Sequence, residues 1–181
     1  ICDAKNGKQL KVFQHDQSVF CVKWSPDGRK IVCGDDDSVV IWDVQAEFRH
    51  SGLPNKNLAS LSAPGHGGPV FSVDWSPDGH QILSGGKDGH AIVWDAESLD
   101  MRHRVNRAHP VFNVSWSPTG NSFLTADDSV VVWDATSGKV NYIFEDHARP
   151  ESEWMSAAWS DDCRDIASVG YDGSIRVSKS V

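Results

Sequence analysis

The chain has 181 residues, with 25 Asp and Glu against 17 Lys and Arg and a formal net charge of −8. That balance argues against a general phosphate-binding surface, and so against direct nucleic-acid binding, and no apolar run reaches the length of a membrane-spanning helix. Four scattered cysteines (Cys2, Cys21, Cys33, Cys163), no CxxC pair and no opening signal peptide read as free, mostly buried thiols of an intracellular protein, cytoplasmic or nuclear.

In chain order, Ile1-Cys2-Asp3-Ala4-Lys5-Asn6-Gly7-Lys8 parallels Val132-Trp133-Asp134-Ala135-Thr136-Ser137-Gly138-Lys139. Residues 1–14 are therefore expected to finish a preceding unit. A first full unit, 15–65, is expected to hold strands near 19–24, 30–33 and 39–42, with an outer strand near 58–61 beyond a polar loop around 51–57. The second unit, 66–108, predicts strands near 70–75, 81–84, 91–94 and 101–105. The third, 109–146, predicts 111–116, 122–125, 130–133 and 140–144. The fourth, 147–181, predicts only three, near 154–159, 165–168 and 175–178. Each unit alternates hydrophobic runs of four to six residues with turn dipeptides, which is the pattern of an antiparallel meander.

The units are copies of one another. Trp24-Ser25-Pro26-Asp27-Gly28 returns as Trp75-Ser76-Pro77-Asp78-Gly79, as Trp116-Ser117-Pro118-Thr119-Gly120 and, weakly, as Trp159-Ser160-Asp161-Asp162, at Trp spacings of 51, 41 and 43 residues. A closing Trp-Asp recurs at Trp42-Asp43, Trp94-Asp95 and Trp133-Asp134. One meander cannot bury both of its faces, whereas stacked copies can. With these Trp-Asp endings and its His entries, the sequence resembles the WD-repeat β-propeller family over nearly all of its length. The resemblance implies an all-β fold of four-stranded antiparallel blades. Residues 8–13 offer a strand that would complete the fourth unit, but Ile1-Cys2-Asp3 and Val177-Ser178-Lys179 then compete for one position. A portion of a longer propeller is the more economical expectation.

The resemblance also implies a hydrogen-bonded set of His, Ser or Thr, Asp and Trp in each blade. Carried over by position, these are His15, Cys33, Asp36 and Trp42; His66, Ser84, Asp88 and Trp94; His109, Thr125, Asp127 and Trp133; and His147, Ser168 and Asp172, with Ser178 where Trp would stand. His, Ser and Asp together also suggest a hydrolase triad, but their recurrence in every unit favours a structural role. Calcium-loop and zinc spacings and a phosphate loop are missing, so no cofactor, metal or catalytic residue is expected. Asn113-Val114-Ser115 matches a glycosylation sequon but falls in an expected inner strand. The cluster Arg102, His103, Arg104 and Arg107 is the one candidate basic patch, and a solvated edge strand is the plainer reading.

The family pattern places Phe20, Phe71, Phe112 and Met155, together with Asp35, Lys87 and Tyr171, at the mouth of a central channel. Two readings of the Phe positions stand side by side: a docking surface, or filling between blades. The function implied is a non-catalytic protein–protein interaction scaffold of a multiprotein complex. The alternatives are a reader of a peptide or modified residue at the channel mouth and, less in keeping with the motifs, a propeller enzyme.

Overall fold

The structure is a computed structural model that describes residues 1–44, 59–61, 65–98, 100–144, 155–170 and 172–179. Four antiparallel sheets follow one another along the chain. The first holds β1 (Cys21–Trp24), β2 (Lys30–Gly34), β3 (Val39–Asp43) and β4 (Ala59–Leu61). The second holds β5 (Val70–Trp75), β6 (Gln81–Gly86), β7 (His90–Asp95) and β8 (Met101–Asn106). The third holds β9 (Asn113–Trp116), β10 (Ser122–Ala126), β11 (Val130–Asp134) and β12 (Val140–Phe144), and the fourth β13 (Ser156–Trp159), β14 (Asp165–Val169) and β15 (Ile175–Lys179). Every strand pairs with its chain neighbour, so each sheet is a plain meander. Before β1, an isolated bridge joins Cys2 to Gln9.

The Ser-Pro-Asp-Gly turns join the first two strands of their sheets by one device. Ser25 Oγ donates to Asp27 Oδ1 (2.6 Å) and accepts from Lys30 N (2.9 Å), while Gly28 takes a φ of 69°. The second sheet repeats it with Ser76, Asp78, Gln81 and Gly79. In the fourth, Ser160 and Asp162 do the same, and Cys163 stands at the glycine position with φ 60°. That conformation costs an L-residue about 1–2 kcal/mol.

The core lies between sheets. One cluster joins Val32, Val39 and Ile41 of the first sheet to Val70, Val73, Trp75 and Trp94 of the second. Another joins Leu83, Ala91 and Val93 to Val114, Trp116 and Phe123. A third joins Leu124, Ala126 and Val132 to Met155, Ala157 and Ile166. Close approach depends on small residues: a Cβ on Gly85 would lie 2.6 Å from Val111 Cγ1 and 2.7 Å from Val114 Cγ1. Of the four cysteines, all free, Cys33 alone is buried; Cys21 and Cys163 are half-buried and Cys2 is exposed. The expectation of mostly buried thiols is corrected accordingly. Burial pushes the thiols of Cys21 and Cys33 up to about 12 and about 11, so both stay protonated near neutrality.

Polar side chains stitch the inner strands of successive sheets. Val114 N donates to Ser72 Oγ (3.1 Å), Trp116 N to Asp74 Oδ2 (2.8 Å) and Ala157 N to Asn113 Oδ1 (3.0 Å). An inner strand is a sheet edge, and these bonds satisfy N–H groups that no neighbouring strand reaches. Asn113 of the sequon is thus half-buried and committed to the next sheet. Burial raises the pKa of Asp74, while Trp116 N–H and Lys23, 4.0 Å away, pull the other way.

Candidate functional site

In the first three sheets the inner strand begins beside the turn that links the second and third strands. Phe20 N donates to Gly34 O (2.9 Å), Lys87 N to Pro69 O (2.8 Å) and Phe112 N to Ala126 O (3.0 Å). These bonds set two groups of residues along one rim: the His-Asp ties inside it and the Phe side chains on it.

The second sheet carries the full tie. Trp94 Nε1 donates to Ser84 Oγ (2.9 Å), Ser84 Oγ lies 2.8 Å from His66 Nε2, and His66 Nδ1 lies 3.0 Å from Asp88 Oδ1. Asp88 also accepts from Gly67 N (2.7 Å) and His90 N (3.1 Å). Every group is satisfied when His66 is neutral with its proton on Nδ1, because Nε2 can then accept the Ser84 hydroxyl proton. Burial holds the His66 pKa below its ordinary value, against the opposing pull of Asp88. Ser, His and Asp here have the spacing of a hydrolase triad, but Ser84 is 0% exposed and its oxygen already accepts from an indole.

The first and third sheets depart from the expected residues. In the first, Trp42 Nε1 donates directly to His15 Nε2 (2.8 Å), bypassing Cys33, whose thiol is a poor relay. The carboxylate facing His15 Nδ1 is Asp35 (3.7 Å) rather than Asp36. Asp35 is buried and accepts from Ser38 N (2.8 Å), which removes it from the docking set and corrects both assignments. In the third, Trp133 Nε1 donates to Thr125 Oγ1 (3.0 Å), but His109 swings out to Asp128 (3.4 Å) with its side chain 58% exposed. Arg107 replaces it, donating from Nε and Nη2 to the two oxygens of Asp127 (2.8 and 2.7 Å) and from Nη2 to Ser129 Oγ (2.7 Å). The Asp127 side chain is 0% exposed, and its burial raises its pKa while the guanidinium opposes the shift. In the fourth, Ser168 is buried and Asp172 accepts from Ser174 N (2.9 Å) and Arg176 Nη2 (3.1 Å). His147 and Tyr171 lie outside the described residues.

The Phe residues form a contiguous row. The rings of Phe20 and Phe71 meet edge to face at 6.1 Å, and those of Phe71 and Phe112 stack at 5.5 Å with planes 16° apart. Phe20 is 48% exposed, and the other two are half-buried. Met155 does not extend the row: its flexible thioether chain is buried in the cluster with Ala126 and Ala157, which corrects its expected place on the surface. Lys87 is exposed beside Gly68. The candidate basic cluster disperses, since Arg102 pairs with Asp95, Arg104 contacts His90 and Arg107 is spent on Asp127. Among the described residues, no group of three His, Cys, Asp or Glu is placed to hold a metal ion, and no helix is long and apolar enough to cross a membrane.

Comparison with known proteins follows the same units. The model of the WD domain, G-beta repeat, matches four times, over residues 7–43, 55–95, 102–134 and 138–177. Similar curated proteins include the rice small ribosomal subunit protein RACK1y, 32% identical over 91% of this chain and 48% of its own length. The rice chromatin assembly factor 1 subunit FAS2 homolog is 26% identical over 94% of this chain and 35% of its own length. This chain thus spans between about a third and a half of these relatives. The crystal structure of the Myceliophteria thermophila Cps50 (Swd1) β-propeller domain superposes with a TM-score of 0.79 and 19% identity, covering 95% of this chain and 55% of that one. Four matched repeats on four meander sheets place the chain in the WD-repeat family of β-propellers.

Proposed function

We propose that this chain is a non-catalytic protein–protein interaction module of a multiprotein assembly, working in the cytoplasm or nucleus, and that it docks partners on the rim bearing Phe20, Phe71, Phe112 and Lys87. The observation that carries this reading is the row of three partly exposed aromatic rings in mutual contact, at the channel mouth of the propeller as the family arrangement has it. Exposed contiguous aromatics favour partner binding over solvent. The relatives support an assembly role by their names, one a ribosomal-subunit protein and another a chromatin assembly factor subunit. The His, Ser and Asp sets serve the fold in this reading, and the acidic balance disfavours direct nucleic-acid contact.

A pull-down comparing wild type with Phe71→Ala plus Lys87→Glu, both first shown to be folded by circular dichroism, tests it. The double variant is expected to lose at least one specific partner. Unchanged capture of every partner would return the Phe residues to a packing role and move the search to the sides of the propeller.

A further inference from the structure

We infer that Val169 selects what stacks on the open face of the fourth sheet. It bars an inner strand built like those of the first three sheets, the first sheet of a second copy of this chain included, and admits a sheet with small residues in their place. Gly34 lies across from Cys21 and Val39, Gly85 from Ser72 and Ala91, Ala126 from Asn113 and Val130, and Val169 from Ser156 and Ile175. These four residues hold one position of the repeat. In the first two sheets the next inner strand leaves no room there, since a Cβ on Gly34 would lie 2.7 Å from Val70 Cγ1, much as one on Gly85 would meet Val111 and Val114. In the third, Ala126 brings a methyl, and the facing residue shrinks: Ala157 stands where the third sheet has Val114, and the two share a cluster. Val169 puts a branched side chain at this point.

The rest of the fourth face matches its counterparts. Ile175 and Val177 occupy the places of Val39 and Ile41, which are 0% and 2% exposed beneath the second sheet, but are themselves 76% and 69% exposed. The first sheet carries the complementary half, with Val19, Val22 and Trp24 exposed at the positions of the buried Val70, Val73 and Trp75. One chain thus holds both halves of the contact it uses internally, and copies joined head to tail would close into a ring or grow into a filament. Val19 meeting Val169 would collide where a bare Cβ already does, and sheets held further apart forfeit their packing contacts. A single clash therefore discriminates against self-stacking on a face that is otherwise suited to it.

Sedimentation velocity over a range of concentrations, on the full chain, compares wild type with Val169→Gly and Val169→Ala, each alone and combined with Trp24→Ser. Gly and Ala are the residues that the other sheets hold at this position, and circular dichroism checks that each variant folds. Val169→Gly is expected to self-associate roughly tenfold more tightly than wild type, and Val169→Ala to a lesser degree. Trp24→Ser is expected to remove the gain, because Trp24 belongs to the face that would land on the fourth sheet. Removing an apolar side chain makes a surface less adhesive in general, so non-specific stickiness predicts the opposite change. Association at the wild-type level in both Val169 variants would overturn the inference, as would a gain that survives Trp24→Ser. Weaker association of Val169→Gly than of wild type would also overturn it, and would make Val169 a contact residue rather than a barrier.

Discussion

At the scale of single residues, the second sheet's tie makes stability depend on pH in a stated direction. His66 is buried, and its network is complete only with Nε2 unprotonated, because Ser84 must donate there while accepting from Trp94. Its folded pKa lies below the ordinary 6.5, so as pH falls the unfolded chain takes up the proton first. The stability contributed by neutral His66 is therefore fully present above about 6.5 and is lost below that value. Asp88 adds nothing in this window. Burial works against its carboxylate, but His66 and Gly67 N–H hold its pKa below 3.8, so its contribution is present above 3.8 and lost only as pH falls through the lower folded value. Unfolding free energies from urea titrations at about pH 7.5 and about pH 5.5 should fall toward the acid side. His66→Gln, uncharged at both values, should be less stable overall but show a smaller acid loss. Equal losses in wild type and variant would show that His66 is not the responsive group.

At the scale of elements, strand positions were legible because repetition allows each unit to correct the others; β5 and β12 run over the residues expected from the alternation. What was not legible follows from local length and competition. The turn after β2 spans four residues, 35–38, and the turn after β10 three, 127–129, so counting back from Trp42 lands on Asp36 whereas counting forward from Cys33 reaches Asp35. Arg107 was hidden among neighbouring cations on β8 and the residues after it, and only the fold shows that it alone points at a buried carboxylate. The stitching role of Ser72, Asp74 and Asn113 was written as polar residues inside apolar inner strands, a signal that needs the next sheet in place to be interpreted. The Arg107 pair yields a prediction that the His-Asp rule does not. Arg107→Ala leaves Asp127 buried without its counter-charge and should cost roughly 3–5 kcal/mol. Arg107→Lys should recover little, since an ammonium cannot span both carboxylate oxygens and Ser129. Denaturant unfolding, with hydrogen exchange to locate the loss in β10 and β11, measures both; near-wild-type stability for Arg107→Ala would show that the pair contributes no net stability.

At the scale of the whole molecule, stability lies between sheets, and the same residue type therefore has different weight in different units. Trp75 and Trp116 are 6% and 5% exposed because the preceding sheet covers them: Val32, Val39 and Ile41 of the first sheet share a cluster with Trp75. Trp24, at the equivalent position of the first sheet, is 50% exposed, with Val22 at 57% and Val19 at 45% beside it. The residues before it cover the outer part of that face instead, where Phe13 packs on the cluster of Ile31, Cys33, Val40 and Trp42. Identical substitutions should then separate by position. Trp75→Ser removes a buried indole from an inter-sheet core and should cost roughly 3–5 kcal/mol. Trp24→Ser should cost less than about 1 kcal/mol and reduce concentration-dependent self-association, since it takes an aromatic ring from an apolar face open to solvent. Denaturant unfolding and sedimentation velocity on the two variants decide it. A Trp24→Ser cost equal to that of Trp75→Ser would mean that Trp24 is covered in solution as fully as its counterparts, and that the first sheet's open face is already occupied.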